Sequence, residues 1–156
     1  MAASRILIVC SGNICRSPMA EVVLRALDPG LVVDSAGTGG WHEGEGMDPR
    51  AIDALAARGY DGSAHRARQV AAGWLAQRDL VLAADRTHLR DLRRLATGVP
   101  GAAPIHLLGE FAPRGSGPGV PAVADIPDPY YGGTPEFVAC LDLIERCCQG
   151  LVKARP

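Results

Sequence analysis

Apolar residues in this chain fall into short unbroken runs, separated by longer stretches where apolar and polar positions alternate with a helical rhythm. Arg5 to Cys10, Leu31 to Ser35, Asp79 to Ala84 and Pro104 to Leu108 read as strands. They are apolar at consecutive positions, the pattern of strands covered on both faces. Between them, helices are expected at Ser17 to Leu27, at Asp48 to about Arg58, and over Ala71 to Gln77, Arg86 to Ala96 and Pro135 to Val152. Asp28-Pro29-Gly30 closes the first helix, Pro49 suits the opening of the second, and Gly59 ends it. Strands that alternate with helices predict a parallel sheet covered on both faces. Ligands of such sheets bind outside the carboxyl ends of the strands. The loops after Cys10, Ser35, Ala84 and Leu108 should share that edge.

Two loops stand out. Ala36 to Gly46 is glycine-rich and carries Trp41. Glu110 to Thr134 is heavy in Gly and Pro, and long enough that a functional role is expected. It ends in Ile126-Pro127-Asp128-Pro129-Tyr130-Tyr131-Gly132, where two prolines stiffen the backbone around one carboxylate. On residues alone, Asp128 is either a group presented at a fixed place or a turn aspartate.

The densest chemistry lies between the first strand and the first helix, in Cys10-Ser11-Gly12-Asn13-Ile14-Cys15-Arg16-Ser17-Pro18. So short a loop can curl so that the amides of Ser11, Gly12, Asn13, Ile14 and Cys15 point inward. With the helix start they form an anion cradle. Gly12 permits positive φ, and Asn13 tolerates it better than most residues. Ser17 is expected to cap the helix, with Pro18 in its first turn. Arg16 offers a planar fork for two phosphoryl oxygens. Dipoles and the Arg16 charge favour a Cys10 thiolate, the nucleophilic form. Otherwise the stretch is a tight turn with two buried thiols and one arginine.

Composition excludes more than it assigns. At 156 residues, one domain over 1–156 is expected, with a core that needs no staples. A net charge of -1 points to neither nucleic acid nor an anionic membrane. Five cysteines, no secretory signal and no apolar run long enough to span a bilayer predict reduced thiols and a cytoplasmic protein. No zinc-ligand spacing is present, so neither metal nor cofactor is expected. Cys140, Cys147 and Cys148 on the last helix read as core residues.

The Cys10 to Pro18 stretch resembles the signature of the low-molecular-weight protein tyrosine phosphatases. Asp128 to Gly132 matches that family's second hallmark, and Asp34 to Thr38, Ala67 to Val70 and Leu89 to Leu92 match landmarks between them. The resemblance covers nearly the whole chain. It implies a small doubly wound α/β domain with a four-stranded parallel sheet and helices on both faces. It implies phosphotyrosine proteins as substrates and a monomeric enzyme. Cys10 would be the nucleophile, Arg16 the phosphate-binding group and Asp128 the general acid. Asn13, in strained geometry, would be held by Ser17, Ser35 and His65. Ser17 would also bond the thiolate. Trp41 and Tyr130 would wall the crevice, with Tyr131 beside them. Cys15 would either form a reversible disulfide with Cys10 or simply pack.

Three rivals remain. An arsenate reductase would need relay cysteines after the third strand, and Leu82 to Leu92 contains none. An arginine phosphatase would carry threonine at the Ile14 position. A non-enzymatic phosphate-binding or redox-sensing module would not need Cys10, Arg16 and Asp128 together.

Overall fold

The computed structural model describes residues 4–112 and 125–154, so the middle of the long Glu110 to Thr134 loop lies outside the described residues. Four strands, β1 (Arg5–Cys10), β2 (Val32–Gly37), β3 (Leu80–Ala83) and β4 (Ile105–Leu107), form one sheet in the order β2-β1-β3-β4. Every pairing is parallel. The helices are α1 (Arg16–Leu27), α2 (Pro49–Ala56), α3 (Arg86–Ala96) and α4 (Thr134–Ala154), with short 3₁₀ helices at Ala72–Gln77 and Leu108–Phe111.

The unbroken apolar run of β1 has a direct structural cause. Ile6, Ile8 and Cys10 pack into one core layer with Met19, Val23 and Leu24 of α1, Leu55 of α2, and Phe137, Leu141 and Ile144 of α4. Leu7 and Val9 point the other way, against Leu75, Leu92 and Leu107. Successive side chains of a strand face opposite sides, so both faces must be apolar when both are covered. Each large side chain so buried contributes about 2 kcal/mol. Cys140, Cys147 and Cys148 are buried in the α4 side of the core.

The strand order reverses direction at β1. Chain growth runs outward to β2 on one side and to β3 and β4 on the other. Connections therefore diverge above the carboxyl end of β1, leaving a crevice there. Cys10 is the last residue of β1 and stands at that point.

Two helix starts matter for the site. Asp48 caps α2, its carboxylate accepting from the Arg50 amide at 2.9 Å. By contrast, α1 begins at Arg16 with Cys15 as its cap residue and no side-chain cap. Ser17 therefore does not cap the helix as expected. It lies inside the first turn with its hydroxyl aimed into the core, because the cap position falls two residues earlier, at Cys15. β2 also runs two residues further than expected, pairing Gly37 with Cys10. No helix of the described residues is long and apolar enough to cross a membrane.

Candidate active site

The loop from Cys10 to Arg16 folds over the end of β1. Among the described residues, no acceptor takes a hydrogen bond from the amides of Gly12, Asn13, Ile14, Cys15 or Arg16. Five unclaimed amides beside an uncapped helix start make a concave donor surface suited to an anion. Cys10 lies beneath it, 3% exposed, with Sγ 2.9 Å from Ser17 Oγ.

Asn13 sets the loop's curvature. It is fully buried and is the one non-glycine among the described residues with positive φ, 59°. Its Nδ2 donates to Ser17 Oγ and Ser35 Oγ, each at 2.9 Å. Its Oδ1 accepts from the Arg68 amide at 2.9 Å, and its carbonyl from His65 Nε2 at 2.7 Å. The Ser35 hydroxyl in turn donates to Glu21 Oε1 at 2.9 Å. Ser17 Oγ accepts from Asn13, and its one proton lies between two acceptors, the Cys10 sulfur at 2.9 Å and the Ala36 carbonyl at 3.4 Å. Burial lowers the pKa of His65, so its ring stays neutral and donates through Nε2.

Glycines serve close approach here. A Cβ on Gly37 would stand 2.5 Å from the Ser11 carbonyl and 3.2 Å from the Asn13 amide, both backbone atoms of the loop. Positive φ, which glycine would permit, is taken up by Asn13 and not by Gly12. Its missing side chain instead makes room for the His42 ring, whose Cδ2 would lie 2.8 Å from a Cβ.

Arg16 is held in place before any ligand arrives. Its Nη1 donates to Asp85 Oδ2 at 2.8 Å and to the Ile126 carbonyl at 2.9 Å. Burial works against its charge, but the Cys10 sulfur and the Asp85 bond outweigh it and raise its pKa. Asp85 also caps α3, accepting from Thr87 and His88 amides at 2.9 and 3.2 Å. Burial opposes its ionisation, yet Arg16 and His88 keep its pKa below the ordinary value. His88 is buried, which lowers its pKa. Its Nδ1 accepts from the Asp85 amide, so Nε2 carries the proton and donates to Ser11 Oγ at 2.8 Å. The sequence offered one signal for this pair: an Asp three residues before a His at a helix start, the pattern of a capping box. It offered none for the reach to Ser11 and Arg16.

One cleft of about 150 Å³ is lined by Cys10, Arg16, Asp128, Trp41 and Tyr130, together with Ser11, Gly12, Ile14, Cys15, His42 and Tyr131. Asp128 Oδ2 lies 3.8 Å from Arg16 Nη2, and its Oδ1 accepts from the Tyr130 amide at 3.1 Å. Trp41 is 73% exposed at the rim, packed across Gly39. Tyr130 and Tyr131 meet edge to face with centroids 5.0 Å apart. Cys15 shares the cleft wall; burial and Asp48 push its thiol up, so it stays protonated. Ser35 and His65 stand behind the loop, not in the cleft, and line a second surface pocket with Glu21 and Arg68.

The family model of low molecular weight phosphotyrosine protein phosphatases matches residues 5–155. The low molecular weight protein-tyrosine-phosphatase of Streptomyces coelicolor is 51% identical over 156 residues, covering 96% of this chain and 92% of that one. Low molecular weight protein-tyrosine phosphatase A of Mycobacterium tuberculosis is 46% identical over 149 residues, covering 92% and 86%. The solved structure of Vibrio vulnificus Wzb in complex with benzylphosphonate superimposes with a TM-score of 0.82 at 32% identity, covering 98% of this chain and 99% of that one.

Proposed function

Because the chain belongs to the low molecular weight phosphotyrosine protein phosphatase family, we propose that it hydrolyses phosphotyrosine in proteins through a phosphocysteine on Cys10. The observation that carries this reading is the single cleft shared by Cys10, Arg16 and Asp128 under the loop's unclaimed amides. The Cys10 thiolate attacks phosphorus in line. The Arg16 fork and the loop amides take the equatorial oxygens, whose charge they neutralise in the transition state. The bond to the tyrosine oxygen breaks, and Asp128 gives that oxygen its proton. Water then attacks the phosphocysteine, Asp128 takes a proton back, and phosphate leaves a regenerated thiolate.

Trp41 and Tyr130 at the rim suit a phenyl ring held at the depth where its phosphate meets Cys10. The similar Vibrio vulnificus protein holds benzylphosphonate, which pairs a phenyl ring with a phosphonate in the same way. Ile14 lines the cleft, Cys140, Cys147 and Cys148 are buried on α4, and the segment Leu82 to Leu92 after β3 holds no relay cysteine for arsenate reduction. The Cys10–Cys15 disulfide belongs to the same proposal, as does a cytoplasmic monomer; both thiols are free and line one cleft.

Phosphotyrosine peptide hydrolysis with a chelator present tests the reading. Acid quench during turnover should leave phosphate on the wild-type protein and none on Cys10→Ser, which should be inactive. Full activity in Cys10→Ser, or faster turnover of phosphoarginine than phosphotyrosine, would refute it.

A further inference from the structure

We propose that Arg50 is a positioning residue that holds the Asp128 loop in register with the phosphate loop; the proposal rests on Asp128 acting as the general acid. Asp128 is 44% exposed along its side chain, and its contact with Arg16 is too long for a hydrogen bond. Its place is therefore set by its backbone. Upstream, that backbone is anchored at Ile126, whose amide donates to the Ala84 carbonyl at 2.8 Å and whose carbonyl accepts from Arg16. Downstream the anchoring is sparse. Among the described residues, one hydrogen bond ties residues 127–132 to another element of the fold: Arg50 Nη1 to the Gly132 carbonyl, 2.8 Å.

Arg50 is built for this reach. Nε and Nη2 fork onto Asp48 at 3.1 and 2.9 Å, leaving Nη1 for Gly132. The guanidinium stacks 4.5 Å from the ring of Phe137, which is fully buried, and 5.5 Å from that of Tyr130. Tyr130 in turn donates its amide to Asp128. On the other side, the Asp48 amide donates to the Ile14 carbonyl at 2.9 Å. A continuous path thus runs from the phosphate loop at Ile14, through Asp48 and Arg50, to the backbone and aromatic wall flanking the acid. A lysine cannot fork, stack and reach at once.

Leaving-group dependence reads this out. A phenol of pKa about 10 must be protonated as it leaves, and a nitrophenol far less so. In Arg50→Lys, kcat/KM for phenyl phosphate should fall about tenfold more than for p-nitrophenyl phosphate, since small misplacement of a catalytic group is costly. Arg50→Gln should do the same; should it fail to fold, Arg50→Lys carries the test. In an Asp128→Asn background, Arg50→Lys should add nothing to the leaving-group dependence. Equal losses for both substrates, or an undiminished effect without Asp128, would overturn the proposal. If Asp128→Asn itself shows no leaving-group effect, the acid assignment fails instead.

Discussion

Asn13 concentrates the physics of the phosphate loop in one side chain, so replacing it gives a quantitative test. Asn13→Ala removes three side-chain hydrogen bonds, to Ser17, Ser35 and the Arg68 amide. At about 1 kcal/mol each, that is about 3 kcal/mol. Alanine at φ 59° adds about 1 kcal/mol of backbone strain that asparagine largely escapes. The expected loss is therefore about 4 kcal/mol, which for a domain of this size lowers Tm by roughly 8–16 °C. Asn13→Gly loses the same bonds but sits in that backbone region without strain, so it should be about 1 kcal/mol less damaging than alanine. Urea titrations with a common slope would measure both. A loss below 1 kcal/mol in Asn13→Ala, or a glycine variant no more stable than the alanine one, would refute the account. Phosphatase activity should fall in both, because Ser17 loses the contact that fixes its hydroxyl beside Cys10.

Two further expectations concern the same region. Gly37→Ala places a Cβ against loop backbone, whereas Gly12→Ala meets the His42 side chain, which can turn aside. Urea denaturation should show Gly37→Ala costing about 1–3 kcal/mol and Gly12→Ala less; the reverse order would be fatal to the close-approach argument. His65 and His88 both titrate below the ordinary 6.5 because burial favours the neutral ring. The unfolded chain then binds protons first as pH falls. Their contribution is complete above about 6.5 and is lost below it, at no more than about 1.4 kcal/mol per pH unit for each ring. Stability measured from pH 7.5 to 5 should show this decline, and His88→Asn should flatten it; an unchanged slope would argue against a neutral buried ring.

The α3 boundaries and those of β1 could be read from the chain because apolar runs, turn residues and caps act over a few neighbours. The sheet class followed from strands with unbroken apolar runs, above all Ile6 to Val9 and Leu80 to Ala83, which cover on both faces explains. Ser17 shows the limit of local reading. A serine before a proline is an apt cap, but here the chain turns helical at Arg16 and the hydroxyl is drawn to Cys10 and Asn13. Gly12 is similar: glycine suggested unusual φ, while the neighbour that needs the space, His42, comes from a distant loop.

What the sequence determined by itself was the order of elements and one cluster of chemistry, Cys10 to Arg16, because all its members lie within a single loop. Tertiary structure decided everything that depends on which loops meet above β1. It brought Asp85 and His88 to Arg16 and Ser11, Ser35 with Glu21 behind it to Asn13, and Arg50 to the backbone beside Asp128. Buried polar groups must find partners, and the folded chain supplies them from elements far apart in sequence. No local pattern encodes that choice; it follows from the reversal of strand order at β1, which gathers those loops at one edge.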